Sequence, residues 1–118
     1  MRNGDLQART RLYALRVIQL VEILPRSRAA DVIGRQLLRC AISVGANCRA
    51  ACRPKSAADF ISKMEIVEEE ADEILYWLDL LAESGLVREE EVADLVAEGN
   101  ELRAMTVASI ETARMRRP

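Results

Sequence analysis

Glu70 and Glu73 stand three residues apart in a segment whose apolar residues recur with helical spacing, so both carboxylates project to the same side of one helix. With Lys63, Ile66, Trp77 and Leu80 they form a stripe beside the apolar seam Phe60, Met64, Val67, Ala71, Ile74, Leu78, Leu81. Paired acids at the edge of a core have two uses. Inward-facing glutamates bridge metal ions in helical bundles, but those sites ordinarily add histidine at Glu-x-x-His spacing, and this chain contains no histidine. Otherwise the acids accept hydrogen bonds from arginines of the second helix or of another subunit, because charge near a core must be paired.

The lack of histidine also removes the commonest general base and every Ser-His or Cys-His nucleophile pair. Gly34 and Gly45 are isolated within a helical pattern and match no phosphate-binding loop. Cys40, Cys48 and Cys52 lack the paired knuckles of a zinc site, and they read as reduced thiols used as small buried hydrophobes. No enzymatic activity and no cofactor is therefore expected.

Four helices must position these residues. Tyr13, Val17, Leu20 and Leu24 repeat at helical period and predict a helix over about 6–24, stopped at Pro25. Ser27 is a natural N-cap for a second helix over about 28–53, with Ile33, Leu37, Cys40, Val44, Cys48 and Ala51 on one side. Gly34, Ala41 and Gly45 there would let a neighbouring helix approach closely. Ser56 and Asp59 open a third helix over about 57–84, and Gly85 closes it. The fourth, about 89–114, carries Val92, Leu95, Gly99, Leu102, Met105, Ile110 and Ala113. Short connections make successive helices antiparallel, so the expected fold is one all-α domain, an up-down-up-down four-helix bundle.

The 118 residues suit one core, and 50% hydrophobic with 31% charged residues predicts a soluble chain. No apolar run approaches the roughly 20 residues that span a bilayer, and with no secretion signal the cytoplasm is the expected compartment. The net charge of −2 hides a segregation. Up to Lys55 there are eleven bases and three acids, whereas the remainder is strongly acidic. Opposite halves invite pairing between helices or subunits. Leu12, Leu15 and Ile23 fall outside the first seam, which also points to self-association. Arginines of the first two helices and of the tail Arg114, Arg116 and Arg117 suit phosphates, but an aromatic content of 3% does not suit base stacking.

Three stretches carry a family resemblance: Arg39-x-x-x-Ser43-Val44-x-x-Asn47, then Asp59-Phe60-Ile61-x-Lys63, then Glu70-Ala71-x-Glu73-x-x-Tyr76-Trp77-Leu78-x-Leu80-Leu81. Over about Leu12 to Gly85 the chain resembles the bacterial four-helix-bundle proteins found in intervening sequences of 23S ribosomal RNA genes. More distantly, it is similar to the accessory protein of diversity-generating retroelements. The resemblance implies a cytosolic ring, commonly a homopentamer, without enzymatic activity, and it keeps RNA or an RNA-associated protein as an expected partner. It also makes Arg39, Ser43, Asn47, Lys63, Glu70, Glu73, Tyr76 and Trp77 the expected contact network between helices or subunits. Ala50 and Ala51, and Glu69 where the family often has lysine, depart from the pattern and weaken a strongly basic RNA-binding surface.

Overall fold

The apolar stripes of four helices meet in one core that runs the length of a rod 51 × 20 × 18 Å. The computed structural model describes residues 3–116, and Arg2 and Arg117 of the basic residues counted above lie outside them. The helices are α1 (Asn3–Glu22), α2 (Arg28–Ala51), α3 (Ala57–Glu83) and α4 (Glu89–Met115), and no strand occurs among the described residues. Each helix packs on two others: α2 on α1 and α3, and α4 on α3 and α1.

Local chemistry sets the ends of these elements. Ahead of Pro25 the amides of Ile23 and Leu24 reach back only three residues, to the carbonyls of Leu20 and Val21, so α1 ends two residues short of the expected boundary. Ser27 Oγ accepts from Ala30 N at 3.0 Å, and Ser56 Oγ accepts from Asp59 N at 3.0 Å, which supplies partners for otherwise orphaned amides. Gly85 follows α3 with φ +79°, a left-handed conformation in which any other side chain would be strained.

Leu37, Val44, Ile74 and Leu78 are fully buried at the centre of the core, each worth about 1.5–3 kcal/mol in apolar area removed from water. Two seam assignments change. Ile61 is buried where Phe60 was expected, and Phe60 packs half-buried against the core margin. On α4 the buried position belongs to Thr106, with Met105 only partly buried. Thr106 fits because its hydroxyl donates to the Leu102 carbonyl at 2.7 Å, one turn earlier, and so brings no unpaired polar atom into the core.

Close approach of the helices is uneven. A Cβ on Gly34 would lie 3.2 Å from Val21, whereas one on Gly45 would make only ordinary contact with α1, 3.8 Å from the Thr10 carbonyl. On α4 a Cβ at Gly99 would stand 2.6 Å from the Tyr13 hydroxyl. That glycine leaves room for Tyr13, which is buried and donates to the Leu95 carbonyl at 2.9 Å.

Candidate functional site

The stripe beside the α3 seam faces α2, and there the paired carboxylates meet Arg39. Glu70 and Glu73 lie one turn apart on α3. Arg39 donates Nη1–H to Glu70 Oε2 at 2.9 Å and Nη2–H to Glu73 Oε2. Trp77, four residues beyond Glu73, donates its indole N–H to the same Glu73 oxygen at 2.9 Å. Cys40 Sγ donates to that oxygen as well, at 3.2 Å, and accepts from Arg39 Nη2 at 3.3 Å. Tyr76, on the exposed side, sets its ring edge-on to Trp77 with centroids 5.0 Å apart.

Three donors on one carboxylate oxygen favour its ionised form. The Trp77 indole, the Cys40 thiol and the Arg39 guanidinium, in that order, hold Glu73 below the usual carboxylate range. Burial, reinforced by the bond to Glu73, pushes the Cys40 thiol up to about 12, so the sulfur is protonated at neutral pH and inert as a nucleophile. Arg39 is held above its ordinary value, chiefly by its bond to Glu73.

The ligand atoms of Cys40, Glu70 and Glu73 lie within 4.8 Å of one another. This is the one cluster of metal-ligating side chains that size among the described residues. To occupy it, a cation would have to displace the Arg39 guanidinium from both carboxylates and strip a proton from a thiol held at about 12. The donor set mixes one soft sulfur with two hard oxygens.

The remaining predicted residues form two separate groups. Asn47 donates to the backbone carbonyl and the hydroxyl of Ser43, at 2.9 and 3.1 Å, within α2. Lys63 pairs with Asp59 at 2.9 Å in the first turns of α3. Neither group has a hydrogen bond to the Arg39 network among the described residues. An open cleft of about 610 Å³ at the α1–α2 turn, bounded by Val21, Leu24, Pro25, Ser27, Asp31 and Gly34, shares no residue with it either.

Two features escaped sequence reasoning. One is Cys40, read as a plain buried hydrophobe although its neighbour Arg39 belonged to the expected network. The other ties α1 to α4. Arg9 donates to Glu98 at 2.6 and 3.1 Å, to Glu101 at 3.2 Å and to Met105 Sδ at 3.1 Å, one turn from the buried Tyr13. The helical spacing of Glu98, Glu101 and Met105 was the available signal.

Known proteins share this fold. Residues 3–108 match the family described as 23S rRNA-intervening sequence protein. A solved structure with the same fold is that of a protein of unknown function from the S23 ribosomal protein family of Bacteroides thetaiotaomicron VPI-5482. It is 30% identical, with a TM-score of 0.87, over 94% of this chain and 99% of that one. No curated protein matches. The family match spans most of the four helices, including every residue of the Arg39 network, and the chain belongs to the 23S rRNA-intervening sequence protein family.

Proposed function

We propose that this chain is a non-enzymatic subunit of a homo-oligomeric ring, a cytoplasmic scaffold or adaptor whose business is contact. The observation that carries the reading is the apolar surface left on three helices and at the end of α1: Leu12, Ile23, Ile42 and Tyr76 are each more than half exposed. Side chains of that size are usual at interfaces when they cluster on faces. An antiparallel up-down-up-down course is part of the reading. It is supported by cross-helix pairs that climb on one helix while descending on the next: Glu65 with Arg114 and Asp72 with Arg103, and Arg9 with Glu98 followed by Tyr13 with Leu95.

The Arg39 network acts in this reading as a clamp between α2 and α3 that holds the outer faces in register. A pentamer is the expected subunit number by family resemblance, and RNA or an RNA-associated protein is the expected further partner. Light scattering on the purified chain tests the first point, and retention of labelled RNA across a salt series tests the second. A multimer whose RNA retention collapses as salt rises supports both, because phosphate contacts release counterions. A multimer indifferent to RNA leaves the scaffold alone standing, and a monomer at all concentrations overturns the reading. Glu73→Ala and Trp77→Ala are expected to lower the assembled mass, and an unchanged mass in both removes the clamp from the proposal.

One observation favours a second reading, a metal-binding bundle: the approach of Cys40, Glu70 and Glu73 within 4.8 Å. Elemental analysis of gently purified protein separates the two. Stoichiometric iron, manganese or zinc, lost in Glu70→Gln, supports the metal site. A melting temperature that none of these ions moves removes it.

A further inference from the structure

The fold neutralises its own charges unevenly. Arg9, Arg39, Arg103 and Arg114 all hold salt bridges to other helices. Among the described residues no salt bridge is formed by Arg11, Arg49 or Arg53 on the α1–α2 side, or by Glu69, Asp79 or Glu83 on α3.

Each surplus surrounds exposed apolar side chains. Gly45 lies against Thr10 and Ala14, so Arg11 and Leu15, each one residue further along α1, flank the same seam as Ile42 and Arg49, three residues before and four after Gly45 on α2. Leu15 is 44% and Ile42 57% exposed, and Arg53 lies exposed just past the C-terminal end of α2. On α3, Glu69, Tyr76, Asp79 and Glu83 recur at spacings of seven, three and four and line one outward stripe, with Tyr76 56% exposed at its middle.

Thus one face is apolar with a basic rim, and the other is apolar with an acidic rim. They belong to different sides of the rod, because α1 packs on α2 and α4 but not on α3, so a chain cannot bring its own two faces together. A second copy can. We propose that the basic α1–α2 face of one copy docks against the acidic α3 face of the next. Such a contact is heterologous: each copy uses one face of each kind and leaves the other open, which generates closed rings where the rotation closes. The proposal rests on the self-association reading above and specifies which surfaces carry it.

Charge reversal with cross-rescue tests it. Arg49→Glu with Arg53→Glu forms one variant, and Glu69→Lys with Glu83→Lys the other. All four positions are exposed, so helical circular dichroism should match the parent, with Arg49→Gln plus Arg53→Gln as a milder alternative. Each variant alone is expected to fall toward the chain mass of 13.2 kDa, and an equimolar mixture to reassemble into larger species in which the two variants alternate. Two variants that keep the parent's mass, or a mixture that stays at the mass of the separate variants, place the contact elsewhere and overturn the proposal while self-association stands. A parent already at 13.2 kDa overturns self-association as well. If polyuridylate binds the parent but not Arg49→Glu/Arg53→Glu while the mass is unchanged, the basic face serves a polyanion and the docking is overturned.

Discussion

At Glu73 a single carboxylate oxygen takes hydrogen bonds from an indole, a thiol and a guanidinium, and the pH dependence of folding follows from that. Because the folded value of Glu73 is depressed, its contribution to stability is present above the unfolded carboxylate value of about 4.3 and is lost as pH falls through the folded one. For Cys40 the sign is opposite. A thiol raised to about 12 contributes fully below its ordinary value of about 8.5 and loses that contribution as pH climbs between the two. Urea midpoints should therefore decline on both sides of a neutral plateau, and Glu73→Gln should flatten the acid limb; an unaltered acid limb in that variant would refute the assignment. Glycines give a second residue-scale expectation. Gly45→Ala should stabilise the fold by up to about 1 kcal/mol, since helix propensity improves and the new methyl meets only ordinary contacts. Gly99→Ala should destabilise it by about 1–3 kcal/mol through the clash with Tyr13 and Leu75, and equal melting temperatures for the two variants would contradict this. Helical spacing was enough to set Glu70, Glu73 and Trp77 on one side of α3, whereas the choice of Cys40 as their partner depends on how far α2 slides along α3, which neither helix encodes alone.

Helix ends were the most readable elements, because a cap is a local interaction between residues three apart. Ser27 and Ser56 each accept from the amide three residues on, as their places at the starts of the second and third helices foretold. Replacing either by alanine should cost about 1 kcal/mol in chemical denaturation, and a smaller loss at one of them would show that its helix end is held by packing instead. Seams were less readable where hydropathy and geometry part company. Thr106 was passed over for Met105 because its hydroxyl counts as polar in a sequence, though the Leu102 carbonyl satisfies it in place. Ile61 displaced Phe60 at the first turn of α3, where a periodic pattern has no preceding turn to fix its phase.

For the molecule as a whole, periodicity and short connections predicted four helices around one core, and that much stands in the structure. The pairing of Arg9 with Glu98, Asp72 with Arg103 and Glu65 with Arg114 could not be read in advance, since many registers would match the same charges. These mostly exposed pairs contribute little each, so salt should leave the melting temperature of the fold nearly unchanged. Docking between charged faces is screened over about 3 Å at 1 M salt against about 10 Å at 0.1 M, so the assembled mass should fall over that range. Light scattering and thermal melts on the same samples check this contrast; parallel losses would mean that assembly and folding are a single transition.

The sulfur sealed between Arg39 and Glu73 has a practical corollary. Cys40 has no solvent-exposed surface, and iodoacetamide can reach it only when α2 and α3 part. The rate at which Cys40 is alkylated, set against that of the partly exposed Cys52 in the same digest, is thus an internal clock for separation of those two helices, readable by mass spectrometry without any added dye.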